Sequence, residues 1–465
     1  MRNAISRWIV GLAFAAAAMA LLLAQAARAQ EAAGAWHGAL KAGGVELRLD
    51  VIITPDANGG LSGRMISLDQ GAVSIPLADV RAGDGQLSFA APSVRGRFEG
   101  RWDAERQAWA GTWVQGAPLP LTLARGLSAA INRPQVPQKP YPYREADVAF
   151  DSAPGVKLAC TLTEPDGKGP FPAAYLITGS GAQDRDETLL GHKPFLVLAD
   201  HLTRHGIAVL RCDDRGFARS TGDFAAAVSA DFAVDAEAAV GFLRARPEID
   251  AGKVGLIGHS EGGLIAPMVA AGDPKVAFVV LLAGPGVPSR ELMAAQREAV
   301  GKASGAPAEA LARHEALMGE IDGILADTAD WEASKIEVVK LLGRAAAASG
   351  EPADAVVMRS QLLFTPWYRD FIRYDPRPAL EKLRMPVLAL GGSSDVQVVA
   401  SQNLPAIRDA LKDDAEATVE ELPGLNHLFQ TSATGSPMDY GKIEETFAPS
   451  ALKVISDWIV AHTRG

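Results

Sequence analysis

The stretch Val254-Gly255-Leu256-Ile257-Gly258-His259-Ser260-Glu261-Gly262-Gly263-Leu264-Ile265-Ala266 constrains the fold of this chain more than any other. It reads as a short apolar strand, an abrupt turn carrying one hydroxyl, and the start of an apolar helix. That is the setting in which Gly-x-Ser-x-Gly has a mechanical meaning. Strand and helix backbones pass so close at such an elbow that a Cβ at Gly258 or Gly262 would collide, so both positions call for glycine. The turn pushes the Ser260 hydroxyl out above a sheet, and the helix behind it aims backbone N–H groups and a positive dipole at any oxyanion formed there. Ser260 is therefore the candidate nucleophile. The plainer alternative is a glycine-rich turn with a surface serine.

The chain around this elbow changes pattern along its length. From Trp36 to about Leu123 the apolar residues alternate, as in Val45, Leu47, Leu49, Val51 and Ile53, with turns at Pro55-Asp56-Ala57-Asn58-Gly59-Gly60 and Gly83-Asp84-Gly85. Period two with regular turns predicts a small antiparallel β domain over 30–131, a meander or open barrel. Trp36, Trp102, Trp109 and Trp113 suit its core better than a binding face. Residues 132–144 form a proline-rich, extended linker. From 145 to 465 apolar strands alternate with helical patterns, which predicts a mostly parallel sheet covered on both faces, an α/β fold. Strands are expected near Leu158–Thr163, Ala173–Thr178, Ile207–Arg211, Val254–Gly258, Val276–Ala283, Val387–Gly391 and Ala417–Leu422. Between 287 and 384 the alternation stops, and Ala, Glu, Leu and Lys recur at helical spacing; this segment is too long for a connection and is read as a helical cap over the strand ends.

At 465 residues the chain suits two or three domains, and its net charge of −10 excludes a surface built for phosphate backbones. No nucleic-acid partner is expected, and a small-molecule substrate is easier to accommodate. Arg2 and Arg7 before the apolar run Trp8–Ala24, followed by Ala27-Arg28-Ala29, read as a signal peptide over 1–29. Export to the periplasm or beyond follows, with no membrane span left after cleavage. Cys160 and Cys212 both fall in expected strands and are read as two buried thiols rather than a bridge.

A serine needs a base, and the base needs an orienting group. Among the eight histidines, His427 follows the last expected strand and precedes the last helix, at the same sheet edge as Ser260. His201 and His205 look like solvent-side helix residues, His314 lies in the cap and His37 in the β domain. The His259 side chain should point away from the hydroxyl of its neighbour. Asp395 ends the apolar strand Val387–Gly391 and its loop, in the order Ser, Asp, His, and would accept the Nδ1 proton of His427; Asp375 and Glu421 are the fallbacks, and a helix N-cap is the alternative use of Asp395. The backbone N–H groups of Glu261 and of Ser180, or its neighbour Gly181, are the expected oxyanion donors. Arg215 is expected to pair with Asp184 or Asp186 to hold loops. There is no P-loop, no dinucleotide fingerprint and no zinc-like His/Cys cluster, so no cofactor or metal is expected.

Gly179-Ser180-Gly181-Ala182-Gln183-Asp184-Arg185-Asp186, Asp213-Asp214-Arg215-Gly216 and Gly258-His259-Ser260-Glu261-Gly262-Gly263 resemble the α/β-hydrolase superfamily, and within it the bacterial two-domain carboxylesterases of the EstD type, related to the S9 and S33 serine peptidases. The resemblance runs from Glu145 to the C-terminus and extends to the β domain. It implies a triad of Ser260, Asp395 and His427 and hydrolysis of short-chain esters through an acyl-enzyme. Cys212 departs from the pattern, which has an aromatic residue there. The sequence thus points to an exported serine carboxylic ester hydrolase. Its rivals are a serine peptidase acting on short peptides, and a binding protein whose hydrolase site is vestigial.

Overall fold

A computed structural model describes residues 32–464 except 43–44, 57–59, 69–72, 116 and 129–131. The expected signal peptide lies outside the described residues. The described residues form two compact units that divide near residue 132.

The first unit is a closed barrel of eight antiparallel strands, from β1 (Gly34–Ala42) to β8 (Ala117–Arg125), each paired with the next and β8 with β1. The antiparallel expectation holds, but the barrel is closed rather than open, because closure leaves no unpaired edge. Alternation fills its interior: Val51, Leu87, Phe98 and Leu123 point inward with almost no exposure. Trp36, Trp109 and Trp113 are buried there too, and the Trp36, Trp102 and Trp109 rings meet edge-on at centroid distances of 5.1–6.0 Å. These tryptophans are core.

The second unit is an eight-stranded sheet built from β9 (Arg144–Ala153), β10 (Val156–Glu164), β11 (Phe171–Ile177), β12 (Ala208–Cys212), β13 (Ile249–His259), β14 (Val279–Leu282), β15 (Val387–Gly392) and β16 (Ala417–Leu422). Its order is β16-β15-β14-β13-β11-β12-β10-β9, parallel from β16 through β12 and antiparallel at β10 and β9. The central strands are continuous apolar runs because both faces are covered. Helix Pro194–Arg204 packs with Pro449–Thr463, and Ser229–Arg244 packs with Gly262–Gly272. Strand β9 escaped the sequence reading: it is an edge strand of mostly exposed polar residues, without the apolar run that marks its neighbours. The proline-rich segment is clamped onto this unit, with Arg133 donating to the carbonyls of Gly441 and Ile443 and Gln135 accepting from the N–H groups of Thr446 and Phe447.

The cap is helical from Ser289 to Leu380 and carries a small core of its own around Ile321, Leu325, Val338 and Tyr368. Among the described residues, no helix is long and apolar enough to cross a membrane.

The cysteines correct the sequence reading. Cys160 on β10 stands directly opposite Cys212 on β12, with Cα atoms 3.9 Å apart, and the two form a disulfide. In the chain β11 separates the two strands, whereas in the sheet β12 lies next to β10, and that pairing brings the cysteines together. The protein unfolded without reductant should therefore show no titratable thiol and two after reduction, and replacing both cysteines by serine should cost about 2–4 kcal/mol of stability in denaturant unfolding. Two thiols before reduction would contradict the bridge.

Candidate active site

The carboxyl ends of the parallel strands are where open α/β sheets gather their functional loops. Here β13 ends in the elbow. Ser260 has φ +54°, the left-handed region that a side chain tolerates only where surrounding structure imposes it. Its N–H donates to the Leu282 carbonyl of β14 at 2.8 Å. A Cβ on Gly258 would lie 2.0 Å from the Gly262 carbonyl oxygen, and one on Gly262 would lie 2.2 Å from that of Ile177. Both glycines are thus needed for the reason the sequence suggested.

Strand β15 leads to Asp395 and β16 to His427. His427 Nδ1 donates to Asp395 Oδ2 at 2.8 Å, and both residues are buried. The other carboxylate oxygen accepts from the N–H groups of Gln397 and Val398 at 2.7 and 2.9 Å, so Asp395 is fixed by its own loop and is not the N-cap of the next helix, which is Val399. The fallbacks lie elsewhere: Asp375 pairs with Arg377, and Glu421 is exposed on β16. The loop holding His427 is itself braced, because the Asn426 side chain accepts from the N–H groups of Leu428 and Gln430.

The loop after β11 meets the elbow. A Cβ on Gly179 would come 3.2 Å from Ser260 Cβ, and Ser180 and Glu261 line one cavity. The residues expected to supply oxyanion donors, Ser180 and Glu261, are therefore neighbours. The Glu261 side chain, which the sequence reading did not use, accepts from Ser229 Oγ at 2.5 Å and from Trp367 Nε1 of the cap at 2.8 Å. Burial pushes its carboxyl above the ordinary range, against the pull of these donors.

Two further readings change. Arg215 pairs with Asp235 of helix Ser229–Arg244 at 2.7 and 2.9 Å, not with Asp184 or Asp186. Asp184 caps its own loop through Thr188, and Asp186 pairs with Arg211 and Lys193, while Arg185 grips Asp213. Adjacent acids and arginines gave no sign that the partner would come from a helix. His201 is half-buried and bonded to Ser456 at 3.0 Å rather than facing solvent; His205 and His314 are exposed, and His37 belongs to the barrel.

A cavity of about 420 Å³ opens beside this loop cluster. Its walls are largely apolar, with Tyr175, Phe224, Phe232 and Ile265 from the sheet side and Leu362 and Trp367 from the cap. Asp213, Asp214, Asp235 and Glu261 reach the same wall. Asp214 accepts from Thr178 Oγ1 and the Gln183 N–H, both at 2.8 Å. Burial pushes its carboxyl up to about 8, with the charges of Glu187 and Glu261 adding to the rise. Among the described residues, no group of three or more His, Cys, Asp or Glu is gathered to hold a metal ion.

An open parallel sheet, a serine elbow closing its central strand and an acid–histidine pair on the loops that follow define an α/β-hydrolase. The model of the X-Pro dipeptidyl-peptidase (S15) family matches residues 154–421, and the chain belongs to that family. It is similar to Esterase EstD of Thermotoga maritima, 27% identical over 307 residues, which are 65% of this chain and 64% of that relative. The chain therefore spans just under two thirds of the length of the curated relative it matches. Among solved structures it is similar to the α/β-hydrolase GrgF from a Penicillium species (18% identity, 69% of this chain and 100% of that one, TM-score 0.43) and to an esterase of Pyrococcus furiosus (14% identity, 72% and 99%, TM-score 0.44).

The raised Asp214 gives a pH-dependent stability. The folded protein keeps this proton up to about pH 8, whereas a free carboxyl gives it up near 3.8, so stability falls as pH rises between the two. Asp214→Asn removes that titration. Its melting temperature relative to the parent should rise steadily across this window; a difference that stays constant from acid to alkaline would contradict the assignment.

Proposed function

We propose that this chain is an exported serine carboxylic ester hydrolase. The observation that carries the reading is the buried Asp395–His427 bond of 2.8 Å, at the same sheet edge as a serine held in a left-handed elbow. In the proposed mechanism His427 takes the Ser260 proton as Oγ attacks the ester carbonyl. Asp395 holds the ring and stabilises the imidazolium. The backbone N–H groups of Glu261 and Ser180 receive the oxyanion, His427 returns the proton to the leaving alcohol, and water then cleaves the acyl-enzyme along the same path. The apolar cavity between sheet and cap suits a small ester with an apolar acyl or alcohol group. Similarity to Esterase EstD supports the ester class. Export is supported by the amino-terminal pattern and by the Cys160–Cys212 bridge, which an oxidising compartment maintains.

A second reading is a serine peptidase using the same residues on short peptides. It is favoured by the family description, and by the carboxyls of Asp214 and Glu261 at the cavity wall, which accept from neutral donors and would suit a substrate amine. Ser260→Ala should lower kcat/KM for a short p-nitrophenyl ester by at least about 10³-fold while the fold is retained. Parental rates in that variant would remove Ser260 from the mechanism, and faster turnover of an X-Pro amide than of any ester would favour the peptidase.

A further inference from the structure

Glu187 and His259 form a buried pair, 4% and 7% exposed, that no step above uses. Glu187 Oε1 accepts two hydrogen bonds, one from the Gly179 N–H at 2.8 Å and one from His259 Nδ1 at 2.9 Å. The opposite ring nitrogen, Nε2, donates to the backbone carbonyl of His427 at 2.9 Å. A carboxylate and a carbonyl can only accept, so this pattern is complete only when both ring nitrogens carry hydrogen. The ring is then an imidazolium neutralised by Glu187. Burial alone pulls His259 down, but Glu187, the His427 carbonyl and the charge of Asp395 together hold it above its ordinary value. The His259 ring also lies beside that of His427, with centroids 4.9 Å apart.

These bonds join the segments on which the proposed chemistry depends. Gly179 immediately precedes Ser180, His259 immediately precedes Ser260, and the carbonyl belongs to His427 itself. Asp395 fixes the His427 ring at one end; His259 fixes the backbone at the other. Glu187 has φ +53°, a left-handed backbone held by its N–H donating to the Asp184 carbonyl at 2.8 Å, and strain of this kind persists where a side chain must be aimed.

We propose that Glu187 and His259 are positioning residues for hydrolysis: the pair ties the oxyanion loop and the His427 loop to the serine elbow and so sets the distances among all three. The inference rests on the reading of Ser260, His427 and the Ser180 loop as the reacting machinery. A drift of about 1 Å among such groups costs on the order of 100-fold in rate, and loss of an outer hydrogen-bond partner about 10–100-fold.

The test compares two amides at position 259, with kcat and KM measured on a p-nitrophenyl ester and melting temperature beside them. In H259Q the amide nitrogen reaches the place of Nε2 and can hold the His427 carbonyl; in H259N it reaches only the place of Nδ1. H259N should lose about 100-fold in kcat with KM nearly unchanged, and H259Q should recover about tenfold of that loss. Glu187→Ala should lower kcat similarly, and adding it to His259→Ala, which removes both ring bonds, should cost little more, because the two act as one unit. Equal kcat in H259N and H259Q, a loss confined to KM, or full additivity would overturn the proposal. Should H259N not fold, the division of the Glu187→Ala loss between kcat and KM decides. A parent that turns over no ester overturns the hydrolase reading and this inference with it, whereas an active parent matched by its variants overturns this inference alone.

Discussion

The left-handed backbone at Ser260 is the constraint on which the rest of the candidate site depends. Strand β13 reverses into a helix with no room for a Cβ at Gly258 or Gly262, since the Gly262 carbonyl and the Ile177 carbonyl occupy that space. A serine between two such glycines is driven into a conformation worth on the order of 1–3 kcal/mol of strain, and a surrounding sheet buried on both faces is what holds it there. The chain order then follows: β14, β15 and β16 add to one side of β13 in parallel, so the loops after β15 and β16 emerge at the edge where the elbow emerges.

Around that elbow the buried polar groups are paired rather than isolated. Asp395 meets His427, Glu187 meets His259, Asp213 meets Arg185 and Asp235 meets Arg215. Each pair draws its members from different segments, so the ion pairs serve as cross-ties between loops more than as sources of net stability. Asp214 and Glu261 are the exceptions among these acids. Both sit at the cavity wall with neutral donors, and burial raises both. The cavity is thus apolar in most of its surface and acidic at one side, a combination that bears directly on ester against peptide as substrate.

The elbow, the main strands, the helical cap and the residues at the ends of β13, β15 and β16 were legible because local pattern determines them: apolar runs, glycines at a tight crossing, and an acid and a histidine each following a strand. What the sequence concealed was non-local. The edge strand β9 carries polar residues on an unpaired side, Cys160 faces Cys212 because β12 lies next to β10 in the sheet, and Arg215 finds its partner on a helix. The barrel's closure depends on β8 returning to β1, which no short window can show. His259 was expected to point away from Ser260; nothing in its neighbourhood along the chain indicated that it would reach both Glu187 and the His427 carbonyl.

The most direct measurement of the central claim is to treat the protein with a fluorophosphonate and locate the adduct by peptide mass spectrometry, in the parent and in His427→Ala. One adduct should form, on Ser260, in the parent, and it should be suppressed when the imidazole is gone. An adduct on another residue, or labelling of Ser260 that proceeds as fast without His427, would contradict it.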